Sequence, residues 1–548
     1  MPGRGGVLKY WEQRVRENGK FENIFTLGMR GIHDSGMPGG GTEREKAARL
    51  QTIIADQRDM LARNVNPNVA DVPQIFCPYK EVLPLYRLMT NLPGDITLVW
   101  PDDNYGYVRQ FSNARERARS GGAGVYYHVS YWGAPRDYLW LCSTPPALIA
   151  EEMTKAFDYG ADKVWILNVG DLKPAELDIE YFLKLAWNPH AWNGTNTYGL
   201  LEKQLARDFG HDAAPELTSI LAEYYRLNFQ RKPEHIFFPT NNLFSAAEVA
   251  QRLAVWRKLA DRVDTAGSEQ LSELHDAFSE LIGYPVIAAG AMNEKCLAGS
   301  QAAAEEIHRL TDFYNDQLAD GKWRNMMSDN PRGQVDFSVP KIPAMEAEAG
   351  AATNQNLTTT NFSGADFAEE NHRVIVEAEH ASVFVPGQDA TWRKIIGLGY
   401  NGEAVAIFPT TVAVRTEPQK ILSDSPCLQF KIYFQTAGDW KFTVRALPTF
   451  SVKTGKPQRY AIALDDAPLQ IISLPASLDE RNRQWQENVL RNAALTSSVH
   501  AITQPGLHTL KIWMVDPGIV LDAITAENSA DQKLGYVWPE ETSVPRMK

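Results

Sequence analysis

The chain has 548 residues, 44% of them hydrophobic and 22% charged, with a formal net charge of −12. That length exceeds what one hydrophobic core supports and calls for roughly two to four domains. The acidic balance, without any basic cluster, disfavours a general nucleic-acid binder, and no apolar run is long enough for a membrane-spanning helix.

Fourteen tryptophans and 20 tyrosines suit sugar stacking, but they equally fill cores. Cys77, Cys142, Cys296 and Cys427 are far apart and form no CxxC pair. They read as separate, mostly buried thiols rather than a zinc site. Residues 1–6 carry no apolar signal-peptide core.

In chain order, Val7 to Asn18 reads as a helix with Leu8, Trp11 and Val15 on one face. A strand at Ile24 to Leu27 leads into Gly28-Met29-Arg30-Gly31-Ile32-His33-Asp34-Ser35-Gly36. A surface turn explains Asp34 alone, but not Arg30, His33 and Asp34 packed together after a strand. Thr42 to Ala62 reads as a helix, with Thr42 and Glu45 forming a capping box. A second strand, Val72 to Phe76, delivers Tyr79, Lys80 and Glu81. By pattern alone, Glu81 is equally an ordinary first-turn glutamate.

The third strand, Ile96 to Trp100, delivers Asp102, Asp103, Asn104 and Tyr105. Arg109 and the Arg115-to-Arg119 cluster follow and read as a solvated helix face. The fourth strand ends in His128, Tyr131 and Trp132. A lone strand histidine is usually a satisfied core residue; flanked by Tyr and Trp, it becomes a candidate sugar contact. A helix at Pro145 to Tyr159 precedes a strand ending at Asn168. Polar loops after successive strands, with helices between, describe a (β/α) barrel with its chemistry at the C-terminal strand ends. Residues 1–192 show about five such units against the eight of a closed barrel. The expectation is a partial TIM-type barrel whose first strands are missing or supplied by a partner chain.

Residues 193–335 switch to helical stripes and read as a helical bundle. The stripes are Leu217, Ile220, Leu221 and Tyr225; Val249, Leu253, Trp256 and Leu259; Leu271, Leu274, Phe278 and Leu281; and Ile307, Leu310, Phe313 and Leu318. Pro331 to Asp366 is richer in Pro, Gly, Thr and Asn, and the linker is placed at 336–368. Residues 369–548 alternate with period two between turn signals, as in a C-terminal antiparallel β-sandwich.

A carboxylate pair among Arg, His, Asn, Tyr and Trp suits glycoside hydrolysis, where one carboxyl protonates the leaving oxygen and the other activates water or attacks. An arginine in such a site pairs with a carboxylate on the substrate, which favours an acidic sugar. A hydrolase with a metal-bound water needs clustered ligands, and His33, His128 and His190 lack HxH or HExxH spacing. No metal or other cofactor is expected.

Linked motifs sharpen this reading. Gly28-Met29-Arg30-Gly31, Tyr79-Lys80-Glu81-Val82, Trp100-Pro101-Asp102-Asp103-Asn104-Tyr105-Gly106 and Tyr127-His128-Val129-Ser130-Tyr131-Trp132-Gly133 occur in order. Leu167-Asn168-Val169-Gly170-Asp171 and the C-terminal stretch Leu510 to Gly518 follow. On these motifs the chain resembles glycoside hydrolase family 115, the xylan α-1,2-glucuronidases. The resemblance implies removal of glucuronic or 4-O-methylglucuronic acid from glucuronoxylan or glucurono-xylooligosaccharides, with inversion. It also implies a barrel, a helical bundle and a β-sandwich, often as a homodimer, in a secreted or periplasmic protein. Carried over by motif, Glu81 is the general acid and Asp34 the second carboxylate, a candidate base. Arg30 would bind the uronate, and Tyr79, Asn104, His128, Tyr131 and Asn168 would line the sugar pocket. The pattern departs at Ile32-His33, where a more acidic, glycine-containing stretch is expected, so the role of His33 stays open. Family members also carry an N-terminal domain and early barrel strands, with another carboxylate, that this sequence does not show. The expectation is therefore weak or no activity for residues 1–548 alone. The rival reading is a truncated, non-catalytic carbohydrate-binding protein.

Overall fold

The structure, a computed structural model, describes residues 4–32, 35–237, 243–270, 272–329, 362–475, 477, 479–528 and 534–544. The N-terminal part alternates helix and strand: α1 (Arg4–Asn18), β1 (Phe25–Thr26), α2 (Glu43–Asn64), β2 (Gln74–Phe76), α3 (Val82–Leu88) and β3 (Thr97–Pro101). It continues with α4 (Ala114–Arg117), β4 (Ala123–His128), α5 (Pro146–Asp158), β5 (Trp165–Asn168) and α6 (Glu176–Trp187). The Thr42 side chain accepts from Glu45 N while the Glu45 carboxylate accepts from Thr42 N, so α2 starts where its capping box directs. Leu50, Ile53, Ile54 and Leu61 then form its buried stripe.

The five strands pair in sequence order, all parallel. Their C-terminal ends therefore share one edge, and the loops after them converge. Among the described residues the sheet is open, with β1 and β5 at its margins, rather than a closed barrel. Gly124 lets β4 and the segment entering β5 approach: a Cβ there would lie 2.1 Å from Val164 O. The expected solvated face of Arg109 and Arg115 to Arg119 is corrected in part, because Arg109 is buried beside Glu480. Arg115 and Arg117 are exposed, but Arg119 donates to the carbonyls of Leu92, Pro93 and Ile96 and ties the entry of β3 down.

The helical part comprises α7 (Thr197–Phe209), α8 (Ala214–Gln230), α9 (Ala246–Ser268), α10 (His275–Phe278), α11 (Tyr284–Ala298) and α12 (Gln301–Asp316). The expected stripe at Leu274, Phe278 and Leu281 is not one helix. It breaks into a 3₁₀ turn, α10 and a π turn over Ser279–Gly283. Pro285 near the start of α11 has no N–H to continue a regular ladder. Leu271 and residues 336–361 of the expected linker (336–368) lie outside the described residues; its end is described, and there Phe367–Ala368 form a strand paired into a C-terminal sheet rather than linker. No described helix is long and apolar enough to cross a membrane.

The C-terminal part contains β6 (Phe367–Ala368), β7 (Arg373–Glu377), β8 (Val383–Val385), β9 (Thr391–Ile396), β10 (Glu403–Phe408) and α13 (Pro418–Asp424). Then come β11 (Cys427–Phe434), β12 (Gly438–Ala446), β13 (Arg459–Leu464), β14 (Gln470–Ser473) and α14 (Arg483–Arg491). Strands β15 (Ala494–Ile502), β16 (Gly506–Met514) and β17 (Val520–Glu527) complete it. One sheet runs β15-β12-β17-β10-β9 with β7 on β17, and the other β14-β13-β16-β11-β6 with β8 on β11. The expected antiparallel sandwich is corrected at one edge, because β6 pairs with β11 in parallel. Strand β6 leads straight into β7 of the other sheet, and that crossing fixes its direction. Phe430, Trp440, Phe442, Tyr460 and Ile512 fill the space between the sheets.

The amphipathic helix α14 does not stay with the sandwich. Its Trp485 and Val489, with Leu447, Phe450 and Val452, join Trp100, Tyr105 and Tyr107 in one apolar cluster with the parallel sheet. Arg231 reaches Leu490 O at 2.8 Å, and Asn492 bridges Tyr107 Oη and Phe229 O. Gly124→Ala tests the tight β4 crossing. Chemical denaturation should show a loss of about 1–3 kcal/mol, the usual cost of overpacking; an unchanged midpoint would contradict it.

Candidate active site

The first loop is clamped before it reaches the site. Gly28 N donates to Gln57 Oε1 at 2.8 Å, and Gln57 Nε2 returns a bond to Gly28 O at 3.0 Å. Gly28 sits at φ +109°, and a Cβ there would press on the Phe76 ring at 3.2 Å. The clamp aims Arg30 at the loop after β2. There Arg30 Nε and Nη2 each donate to Glu81 at 3.0 Å, as a two-bond fork. The Arg30 guanidinium also lies 4.8 Å from the centroid of the Tyr79 ring. Glu81 occupies the cap position of α3 but makes no side-chain cap bond; its carboxylate faces Arg30 instead. That separates it from the ordinary first-turn glutamate.

The loop after β3 is built on two buried carboxylates. Asp102 accepts from the backbone N–H groups of Asn104, Gly106 and His128 at 3.0, 3.2 and 3.0 Å. It also bonds His128 Nδ1 at 2.7 Å. Asp103 accepts from Tyr105 N and Tyr107 N, and from Trp485 Nε1 of α14 at 3.0 Å. Burial pushes the Asp103 carboxyl up to about 7; Arg109 opposes the rise and Asp102 adds to it. Asn104 is held in the left-handed region, φ 72°, an unusual conformation that asparagine tolerates. From there its Oδ1 accepts from Tyr79 Oη at 2.6 Å.

His128 ends β4 and stacks on Tyr79, ring centroids 5.9 Å apart and 16° from parallel. Because Asp102 holds Nδ1, Nε2 is the ring nitrogen that remains for a ligand. Lys80, also left-handed at φ 49°, donates to Tyr131 Oη at 2.6 Å. At the end of β5, Asn168 Nδ2 donates to Tyr126 Oη at 2.7 Å. These side chains surround a cavity of about 610 Å³ whose lining includes Arg30, Cys77, Tyr79, Tyr126, His128, Tyr131, Trp132 and Asn168. Burial pushes the Cys77 thiol up to about 12, so it lines the wall as a neutral group. Trp132 is 49% exposed at the rim.

The structure thus brings Arg30, Tyr79, His128, Tyr131 and Asn168 onto one wall. Glu81 and Asn104 do not line it; they bond to Arg30 and Tyr79, which do. His33 and Asp34 lie outside the described residues. Among the described residues no group of three or more His, Cys, Asp or Glu side chains is placed to hold a metal. Sequence reasoning missed two contributors from the far end of the chain, Glu480 and Trp485. Glu480 Oε1 accepts from Asn104 Nδ2 at 3.2 Å. No short-range pattern links positions so distant in sequence.

Residues 3–235 match the profile of Glycosyl hydrolase family 115, and residues 366–540 match the Glycosyl hydrolase family 115 C-terminal domain. Among solved structures, the chain is similar to BtGH115A, a family GH115 4-O-methyl-α-glucuronidase with specificity for decorated arabinogalactans. The two are 35% identical over 95% of this chain and 66% of that one, with a TM-score of 0.83. The chain therefore spans less than two thirds of that relative's length. The C-terminal CBM6 of LamC from Zobellia galactanivorans matches at 14% identity over 28% of this chain and 99% of its own, with a TM-score of 0.20. The Podospora anserina GH26-CBM35 β-(1,4)-mannanase matches at 17% over 30% and 29%, also at 0.20. Those two scores are too low to support an argument. No curated protein matches the chain.

The Asp103 site gives a pH test. Its folded pKa is raised to about 7, above an unfolded value of about 3.9. Its contribution to stability is therefore complete below that unfolded value and is lost as pH rises through about 7. Urea titrations at pH 5.5 and 8.5 should show a loss on the order of 1 kcal/mol or more, with a smaller slope in Asp103→Asn. Equal slopes in both proteins would contradict the assignment.

Proposed function

Because the chain belongs to glycosyl hydrolase family 115, we propose that it is a glycoside hydrolase that removes glucuronic or 4-O-methylglucuronic acid side chains from a decorated plant polysaccharide. The observation that carries this reading is the Arg30–Glu81 fork beside Tyr79 on the wall of a polar and aromatic cavity. A guanidinium in a fork geometry suits a sugar carboxylate. A second carboxylate, Asp34, stands four residues after Arg30 in the sequence.

In this proposal Glu81 protonates the glycosidic oxygen. Asp34 takes a proton from the water that attacks the anomeric carbon, and inversion follows from that single displacement. A substrate uronate takes the Arg30 fork in place of Glu81, and the Glu81 carboxyl is then released to turn toward the glycosidic oxygen, so recognition of the uronate and placement of the acid are one event. Tyr79, His128, Tyr131 and Asn168 supply the hydrogen-bonding and stacking surface around that sugar, with Asn104 bonded to Tyr79 from behind.

The polysaccharide backbone is either xylan or arabinogalactan: the motif resemblance favours the first, and BtGH115A is described for the second. The direct experiment incubates the full chain and its Glu81→Gln variant with glucuronoxylan and with a glucuronic-acid-decorated arabinogalactan, then quantifies released acid. Release should fall by about 10²–10⁴-fold in the variant, the usual weight of a general acid. Polysaccharide binding without release by the unaltered chain would favour the binding-protein alternative. Trp132→Ala should raise KM on the polymer by about tenfold while altering KM on a single-sugar glucuronide by less than about threefold, as loss of one stacking face predicts. Equal changes on both substrates would place Trp132 inside the uronic-acid pocket instead.

A further inference from the structure

We propose that Glu480, carried by the C-terminal sandwich on the loop before α14, is a positioning residue of the active site. It would set the polarity of the sugar pocket through Asn104. This rests on the glucuronidase reading above. Glu480 lies near Asn104, Lys80 and Arg109, each from the parallel-sheet part of the chain. Its Oε1 is 3.2 Å from Asn104 Nδ2 and 3.7 Å from Arg109 Nη2. Its Oε2 is 3.7 Å from Lys80 Nζ. The Glu480 side chain is 20% exposed, that of Lys80 12% and that of Arg109 1%, so this is a largely desolvated cluster rather than a surface pair.

An asparagine amide has a donor end and an acceptor end of nearly the same shape, and its environment decides which way it faces. An ionised carboxylate only accepts. Glu480 therefore holds the Nδ2 end of Asn104 toward itself and leaves Oδ1 for Tyr79. Tyr79 Oη commits its single proton to that oxygen at 2.6 Å and meets a ligand only as an acceptor. On the other side, Lys80 donates to Tyr131 Oη, which turns the Tyr131 proton away from the ammonium. Asn104 and Lys80, both beside Glu480, thus give two tyrosines on one wall different hydrogen-bonding roles. The same carboxylate balances two cations beside a pocket that takes an anion, so uronate affinity stays with Arg30.

Three proteins are compared: the full chain, Glu480→Ala and Glu480→Gln. Gln keeps an oxygen that accepts from Asn104 but loses the charge; Ala loses both. For each, kcat and KM for uronic-acid release are measured, together with glucuronic-acid binding by calorimetry and the thermal midpoint. Positioning through Asn104 predicts that Ala lowers kcat by about 10–100-fold, the scale of a small misplacement, while Gln recovers most of that loss. KM should move by less than about threefold in both. A purely structural or charge role predicts that Gln and Ala fall together in kcat and thermal midpoint, and that result would overturn the proposal, as would wild-type kcat in Ala. If the full chain neither releases nor binds glucuronic acid, the reading of the pocket fails first and this inference falls with it. Binding without release would favour the binding-protein alternative and overturn this inference, which needs turnover.

Discussion

Two adjacent buried carboxylates, Asp102 and Asp103, hold the site together from opposite sides. Asp102 gathers three backbone N–H groups and the His128 ring. Asp103 gathers two backbone N–H groups and the indole of Trp485. Uncompensated burial of either charge would be costly, and these hydrogen bonds offset that cost. The tight turn they build forces Asn104 into a left-handed conformation and presents its amide to Tyr79. The same turn receives the C-terminal sandwich, because Trp485 packs edge-on against Tyr105 at 5.9 Å. The sandwich is therefore part of the site's scaffold rather than an appended module, which is why α14 shares an apolar cluster with the sheet.

The Arg30–Glu81 fork stands on less rigid ground. Both side chains are partly exposed, and an ion pair in that setting contributes only modestly to stability. In the proposed mechanism this weak pair is the one that changes partners, while the fully buried Asp102–His128 bond stays fixed; the Tyr79–Asn104 bond is only partly buried.

Much of this was legible in the sequence. Polar clusters after successive apolar runs marked the strand ends, and the capping box at Thr42 and Glu45 placed the start of α2. The switch to period two after Arg373 marked the sandwich. Local patterning reports local structure, and these features are local. What stayed hidden depends on distant partners. Glu480 and Trp485 reach the site only because α14 leaves its own sheets. The break before α11 follows from Pro285 and the packing around it rather than from the apolar stripe, which continues through it. The parallel pairing of β6 is decided by the crossing into β7. Asn104 reads as a pocket residue by its position after β3, yet it serves the wall from behind.

The central claim is that Arg30 reads a carboxylate on the sugar. Calorimetric binding of glucuronic acid against glucose, which differ at that group, tests it most directly. The account predicts glucuronic acid binding at least about tenfold tighter, as one charge-assisted fork allows, with the preference lost in Arg30→Met. Equal affinity for the two sugars, or a preference that survives Arg30→Met, would contradict it.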